Sequence, residues 1–113
     1  MPSQSGVLDT VFQALSHPAR RDVVRRLSRG PAAVSELAEP YEMALPSFLQ
    51  HLQVLEASGL VASQKTGRVR TYRLTPKPLR AAQRWIEEQR AIWEQRLDQL
   101  DEYLRQLHDQ EQE

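Results

Sequence analysis

Apolar residues recur along this chain at helical spacing in five stretches. The first covers residues 7–15, and the second covers residues 18–28, where arginines occupy the side opposite the apolar one. A third, very short stretch covers residues 35–38 and ends before Pro40, which does not continue a helix. The pattern therefore predicts three helices joined by short turns in the N-terminal third of the chain.

A fourth helix and a β-hairpin are predicted next. Counted from Leu45, apolar residues recur at three- and four-residue steps and mark the buried face of this helix, namely Phe48, Leu52 and Leu55. The pair Ser58-Gly59 ends the helix, and two strand-like runs follow at residues 60–65 and 69–74. Length and patterning thus predict a helix-turn-helix over residues 33–57, followed by a two-stranded β wing.

The last predicted helix is long, from about residue 76 to residue 107. Its apolar seam alternates three- and four-residue steps and consists of Leu79, Ile86, Trp93, Leu97, Leu100, Leu104 and Leu107. A monomer would expose much of this seam to water, so the pattern predicts dimerisation through the later part of the helix. The residues expected in that interface are Leu97, Leu100, Leu104 and Leu107. Residues 108–113 are expected to form a frayed tail.

Three large apolar residues, Trp85, Ile92 and Trp93, lie close together in the first half of the same helix. Such a cluster most often belongs to a protein core, which is the interpretation we expect here. The alternative is a small-molecule pocket at a dimer interface.

Length and composition narrow the class of protein. A chain of 113 residues buries one modest core, so we expect a single domain of residues 1–113, with a core of residues 7–75, the long helix and the tail. The absence of cysteine excludes disulfides, thiolate metal sites and cysteine nucleophiles. The sequence has neither a membrane-spanning apolar run nor the order of a secretion signal. We therefore expect a soluble, cytoplasmic protein without a membrane partner.

Charge is unevenly distributed although the net charge is zero. Residues 1–75 contain nine Lys+Arg against six Asp+Glu, a net of +3, whereas residues 76–113 contain six against nine, a net of −3. This difference indicates that the basic and acidic parts have different roles.

Two neighbouring features of the basic part suit a polyanion. The outer face of the fourth helix is small, amide-bearing and almost uncharged, and carries Pro46, Ser47, Leu49, Gln50 and Gln53. The hairpin has no acid between residues 60 and 75 but has four cations, Lys65, Arg68, Arg70 and Arg73. Amides can read base edges while cations bind phosphates, so the pair of features predicts binding to double-stranded DNA.

Individual roles follow from side-chain chemistry. Glutamine matches the edge of adenine, and Leu49 can contact a thymine methyl group. Arg68 at the hairpin tip can enter a minor groove or bind phosphate, while the other three cations are expected to position the DNA backbone. The alternative is an ordinary solvated helix face beside an edge strand kept soluble by its charges.

Several blocks of the chain together resemble the ArsR-type winged helix-turn-helix repressors. The blocks lie at residues 12–21, 35–38, 48–61 and 67–74, and the long last helix is similar to the branch with an extended C-terminal helix. The resemblance implies a mainly α winged helix-turn-helix fold and a homodimer that binds a partly palindromic operator and represses transcription. It also implies release by an inducer or a change of conditions, such as an unknown small molecule.

The chain departs from the family pattern in two places. Many relatives have a cysteine pair in the helix that here contains residues 35–38, and this sequence has none. Its absence removes the usual arsenic-type sensing chemistry. Where many relatives have serines that cap the helix and read DNA, this sequence has Ala44 and Leu49.

Two alternative functions remain open at this point. One is a protein-interaction module whose wing binds an acidic protein and never touches DNA. The other is a metal-responsive repressor, in which His108 and Glu111 have the spacing of a metal pair. We expect neither a metal nor a cofactor, because a lone histidine in an acidic tail is usually solvated. The sequence contains no phosphate loop, nucleophile elbow or HExxH motif, so we do not expect an enzyme.

The two other histidines are assigned structural roles. His17 precedes Pro18, a residue favoured at the first position of a helix, and is expected to cap the second helix. His51 lies near the apolar residues Leu52 and Leu55 and is expected to be partly buried and hydrogen-bonded rather than in contact with a base.

Overall fold

The computed structural model describes residues 4–112, and side chains from residue 6 onward. Within that range the elements are α1 (Gln4–Ala14), α2 (Pro18–Leu27), β1 (Ala32–Ala33), α3 (Val34–Ala38), α4 (Leu45–Ala57), β2 (Val61–Thr66), β3 (Val69–Leu74) and α5 (Pro76–Gln112). The predicted mainly α fold with a β wing and a long last helix is confirmed. Internal contacts divide the chain into two units, residues 1–82 and residues 83–113.

The core of the first unit forms around α4. Phe48, Leu52 and Leu55 are fully buried, as the helical spacing of these residues predicts. They belong to one cluster with buried residues of the other elements of this unit, including Val11, Val23, Leu37, Leu60, Val61, Tyr72 and Ala82. One side of α4, the second helix of the predicted helix-turn-helix, is therefore held by the core, and the other side is exposed.

The wing is an antiparallel hairpin of β2 and β3, closed by the pair Thr66 and Val69. Gly67 in the two-residue loop has a φ of 64°, and no other type of residue in the described chain has a positive φ. A positive φ at the first loop position favours glycine and matches the twist of the strands.

A third strand, β1, was not predicted. Ala32 pairs with Tyr72 and Ala33 pairs with Thr71, so the sheet order is β1-β3-β2. Two residues are too short to show an alternating pattern, and this strand forms because β3 offers its free edge to the segment before α3.

Two half-buried arginines of α2 hold the ends of other helices. Arg20 donates from Nε to the carbonyl of Ala14 at 2.7 Å, at the end of α1. Arg26 donates to the carbonyls of Glu36 and Leu37 at 2.7 and 2.9 Å, in α3. Carbonyls in the last turn of a helix lack partners within the helix, so these contacts stabilise the packing of α1, α2 and α3.

The second unit is the part of α5 from residue 83 onward. It forms a continuous helix to Gln112, so the predicted helix end at residue 107 is wrong. Glutamine and glutamate are good helix formers, and His108 hydrogen-bonds Gln112 one turn later at 3.0 Å, both of which favour continuation.

The expected burial of the aromatic cluster in α5 is also wrong. Trp85, Ile92 and Trp93 are 42%, 45% and 62% exposed. The leucines of the predicted seam, Leu97, Leu100, Leu104 and Leu107, are similarly exposed, at 38% to 54%. Helical periodicity identifies an apolar side of a helix but does not supply the neighbour that would cover it.

Candidate functional site

The outer face of α4 carries the side chains predicted to read DNA. Pro46, Ser47, Gln50 and Gln53 are exposed, whereas Leu49 is half-buried and packs against the core. Pro46 lies in the first turn, where its missing N–H is not needed, and Ala44 offers no side-chain cap. Leu49 therefore offers less surface to a thymine methyl group than the sequence suggests.

The four cations of the wing do not share one surface. Lys65 and Arg70 face each other across the strands, and paired residues of an antiparallel sheet project to the same side. Arg73 pairs with Ala62 and projects to the opposite side, while Arg68 lies in the loop. The strand register, rather than the number of cations, decides which of them can act together.

A groove of about 260 Å³ connects the wing to the helix-turn-helix. Arg68, Val69 and Arg70 of the hairpin line it together with Leu45 of α4 and residues 33–35. The hairpin loop with Arg68 therefore lies beside the beginning of the helix whose outer face bears Gln50 and Gln53. The guanidinium of Arg70 is bonded to Ser63, which contacts Glu56 in the last turn of that helix.

A hydrogen-bonded chain joins α4 to both strands of the wing. Ser63 donates from Oγ to Oε1 of Glu56 at 2.7 Å and accepts a hydrogen bond from Nη1 of Arg70 at 2.9 Å. Burial raises the pKa of the neighbouring Tyr72, and the Glu56 carboxylate raises it further. Glu56 and Ser63 were not predicted as site residues, because no local pattern links a helix residue to a strand residue.

His51 connects α4 to the beginning of α2. Its Nδ1 lies 3.3 Å from Nη1 of Arg20, and its ring stacks on His17 with a centroid distance of 4.2 Å. Burial lowers the pKa of His51, and the positive charges of His17 and Arg20 lower it further. The predicted half-buried, hydrogen-bonded role of His51 is confirmed.

His17 is the N-cap of α2. Its Nδ1 accepts a hydrogen bond from the backbone N–H of Ala19 at 3.1 Å. This contact satisfies one of the free N–H groups at the beginning of the helix and confirms the predicted capping role.

Tyr41 holds the turn between α3 and α4. Its hydroxyl donates to Oδ2 of Asp22 in α2, and its ring packs on Phe48 with a centroid distance of 5.2 Å. Burial and the hydrogen bond to Asp22 raise the pKa of Tyr41 to about 12, so the hydroxyl remains a donor at neutral pH. The turn of the helix-turn-helix is thereby attached to α2.

The part of the chain that the structure describes contains neither a cluster of metal ligands nor a membrane-spanning helix. Among the described residues, no three His, Asp or Glu side chains come together as a metal site would require. His108 contacts Gln112, whose amide is not an acidic metal ligand. No helix within residues 4–112 is sufficiently long and apolar to cross a membrane.

Comparisons with known proteins agree with this geometry. Residues 15–64 match a family model described as a helix-turn-helix domain. The chain is 42% identical over 73 residues to the HTH-type transcriptional regulator Rv2034 of Mycobacterium tuberculosis, covering 65% of this chain and 68% of that protein. It is 27% identical over 79 residues to the transcriptional repressor SdpR of Bacillus subtilis, covering 70% of this chain and 88% of that protein.

Comparison with solved structures also finds similarity to transcriptional regulators. A crystal structure of the ArsR family transcriptional regulator RHA00566 matches with a TM-score of 0.77 and 50% sequence identity. The match covers 83% of this chain and 97% of that one.

Proposed function

Because the chain belongs to the ArsR family of winged helix-turn-helix regulators, we propose that it acts as a homodimer that binds a partly palindromic operator and represses transcription. It is a DNA-binding transcriptional regulator, and its relatives are regulators rather than enzymes. Its proposed place of action is the cytoplasm. Its proposed release signal is a small-molecule inducer rather than a metal.

The groove between the wing and α4 is the observation that carries the proposed mode of binding. Arg68 and Arg70 lie in its lining, next to the first residue of α4. With the loop and the helix side by side, phosphates can bind to the wing while Gln50 and Gln53 reach base edges. Pro46, Ser47 and Leu49 complete the proposed reading face, and Lys65 and Arg73 are proposed to contact the DNA backbone.

The proposed homodimer rests on the exposed apolar seam of α5. Leu97, Leu100 and Leu104 are all at least half exposed, and Leu107 continues the same seam. A contiguous apolar strip of this length on a helix that is acidic elsewhere is typical of an interface between two copies. Two copies also match the two half-sites of a palindromic operator.

The test is selection of genomic DNA fragments by the purified protein, followed by titration of the enriched fragment at several salt concentrations. We expect a preferred sequence with partial palindromy, and an affinity that falls steeply with salt because cations displace counterions from the phosphates. An Arg105→Ala variant, which removes one exposed positive charge from the second unit, is the matched control and should leave the slope unchanged. A protein complex insensitive to salt, without any enriched DNA, would support the protein-interaction alternative instead.

A further inference from the structure

Glu56 is an acid beside a hairpin that has no acid of its own. It lies in the last turn of α4 and is exposed, while residues 60–75 contain four cations and no Asp or Glu. Its carboxylate accepts the Ser63 hydroxyl at 2.7 Å, and it acts electrostatically on Tyr72 of β3. Its negative charge therefore acts within the wing.

Ser63 uses its hydroxyl in both directions. A hydroxyl has one donor and two acceptor positions, and here the donor serves Glu56 while an acceptor serves Arg70. The result is a relay of three side chains, Glu56, Ser63 and Arg70, in three different elements. It connects the helix proposed to read bases to the strand that presents a cation.

The relay has two physical consequences. It restrains the wing relative to α4, since a contact from α4 to β2 is extended to β3. It also occupies one end of the Arg70 guanidinium and places a carboxylate behind it, which lowers the positive potential that Arg70 offers to a phosphate. Arg68 lies in the loop and is not part of the relay.

From this geometry we propose that Glu56 is a specificity-determining residue. It acts through Ser63 to hold Arg70 in one position, and it thereby weakens the binding of Arg70 to DNA phosphates that does not depend on sequence. The inference rests on the proposed DNA-binding function. On a matching operator, the fixed wing and the base contacts of α4 are satisfied together. On other DNA, an Arg70 side chain held in one position contributes less binding free energy than a freely moving one would.

The decisive variant is Ser63→Ala, which cuts the relay while keeping both charges. Its affinity for the operator and for non-operator DNA is measured across a series of salt concentrations. We expect non-operator binding to tighten and its salt slope to steepen by about 0.9, the contribution of one additional phosphate contact. That slope corresponds to roughly a threefold change in affinity over a fourfold change in salt. The ratio of operator to non-operator affinity should fall.

Three further variants isolate the cause. Gln64→Ala is the matched control, because Gln64 is exposed on β2 and pairs with Thr71 on the side of the hairpin opposite Ser63. The double variant Ser63→Ala/Arg70→Ala should lose the additional slope, since Arg70 is the cation that the relay restrains. Glu56→Gln keeps an acceptor for Ser63 but removes the charge, and should tighten non-operator binding in the same direction.

Hydrogen exchange of the β2 and β3 amides without DNA provides a separate readout. Ser63→Ala should accelerate exchange there, and Gln64→Ala should not. If the wild-type protein binds operator but Ser63→Ala matches Gln64→Ala in slope, affinity ratio and exchange, the relay has no such role. If the wild-type protein enriches no DNA, the proposed function fails and the specificity role with it, whereas faster exchange in Ser63→Ala would still show that the relay restrains the wing.

Discussion

At the scale of single residues, Tyr41 shows how one hydroxyl can attach a functional turn. The hydrogen bond from Tyr41 is the largest cause that lowers the pKa of Asp22, and Arg25 lowers it further. A carboxylate whose pKa is lower in the folded protein than in the unfolded chain stabilises the fold at pH values above its ordinary pKa of 3.8. That stabilisation is lost as the pH falls through the lower, folded value.

Tyr41→Phe keeps the ring and removes this hydrogen bond. We expect the free energy of unfolding to fall by about 1 kcal/mol at neutral pH, a usual value for one hydrogen bond. The difference from wild type should shrink below pH 3.8, because protonation of Asp22 removes the charge that strengthens this hydrogen bond. Urea unfolding between pH 3 and pH 7 measures it, with Tyr103→Phe, an exposed tyrosine of the second unit, as control. A loss that is equal at every pH would show that the hydroxyl acts independently of the Asp22 charge.

His51 gives a second pH effect with the same sign. Its pKa in the folded protein lies below its ordinary value of 6.5, so the unfolded chain binds more protons as the pH falls through this range. Protonation also replaces the acceptor at Nδ1 with a donor that faces Arg20, with His17 as a further positive neighbour. The wild-type protein should therefore lose stability as the pH falls below 6.5.

His51→Gln should flatten that part of the stability curve, because glutamine can accept from Arg20 and does not titrate. His108→Gln removes a histidine from the end of α5 and serves as the control that should leave the curve unchanged. Thermal unfolding at pH 5.5, 6.5 and 7.5 compares the three proteins. Parallel curves for wild type and His51→Gln would assign the acid sensitivity to other groups.

At the scale of elements, α4 and the wing are expected to contribute different kinds of energy to binding. Arg68→Ala should weaken binding to every DNA sequence and reduce the salt slope by about 1, because one cation is lost. Gln50→Ala should mainly relax the preference at one base position, at a cost of about 1 to 3 kcal/mol for the matching base. Titration of operator variants with single base changes, each at several salt concentrations, separates the two effects.

One result would contradict this division of roles between Arg68 and Gln50. Equal and unselective losses from both substitutions would mean that α4 does not read bases. Arg105→Ala supplies the background expected for removing a positive charge far along the chain from the wing.

At the scale of the whole molecule, dimerisation is expected to be a precondition for operator binding. Half-sites lie about 34 Å apart, one turn of DNA, which one helix-turn-helix cannot span. Leu100→Glu places a charge in the seam and should give a folded monomer, since the core of the first unit does not include Leu100. Sedimentation and gel shifts on full and half operators should show weak half-site binding and no gain on the full operator.

Gln99→Glu adds the same charge one residue away from the seam and should leave the dimer intact. If Leu100→Glu also remains dimeric with full operator affinity, the interface lies elsewhere. The first place to examine would then be α1, where Phe12 is 38% exposed.

Metal response is the remaining question at this scale. Zinc and chelators should change operator affinity by less than about 1 kcal/mol, which is the lower range of a real allosteric coupling. Binding titrations with zinc, with a chelator and with neither measure this coupling. A larger effect that disappears in His108→Gln would establish a metal site at the end of α5.

The sequence by itself determined the helices and the hairpin of the first unit, because the spacing of apolar residues reports which side of a helix or strand is buried. The spacing of Phe48, Leu52 and Leu55 predicted the buried side of α4, and all three are fully buried. The strand-like runs and turn residues of 60–74 predicted the hairpin, and the observed strands Val61–Thr66 and Val69–Leu74 differ from the predicted bounds by one residue at most. These are properties of neighbouring residues, and local geometry is sufficient to produce them.

Only the tertiary structure decided which polar groups meet. Arg20 and His51 are 31 residues apart, and Tyr41 and Asp22 are 19 apart, so no local period relates either pair. The Glu56, Ser63 and Arg70 relay likewise depends on how α4 approaches the wing, and β1 forms only where β3 leaves an edge. Polar contacts depend on distance and direction to within fractions of an ångström, and those are set when the buried apolar faces pack together.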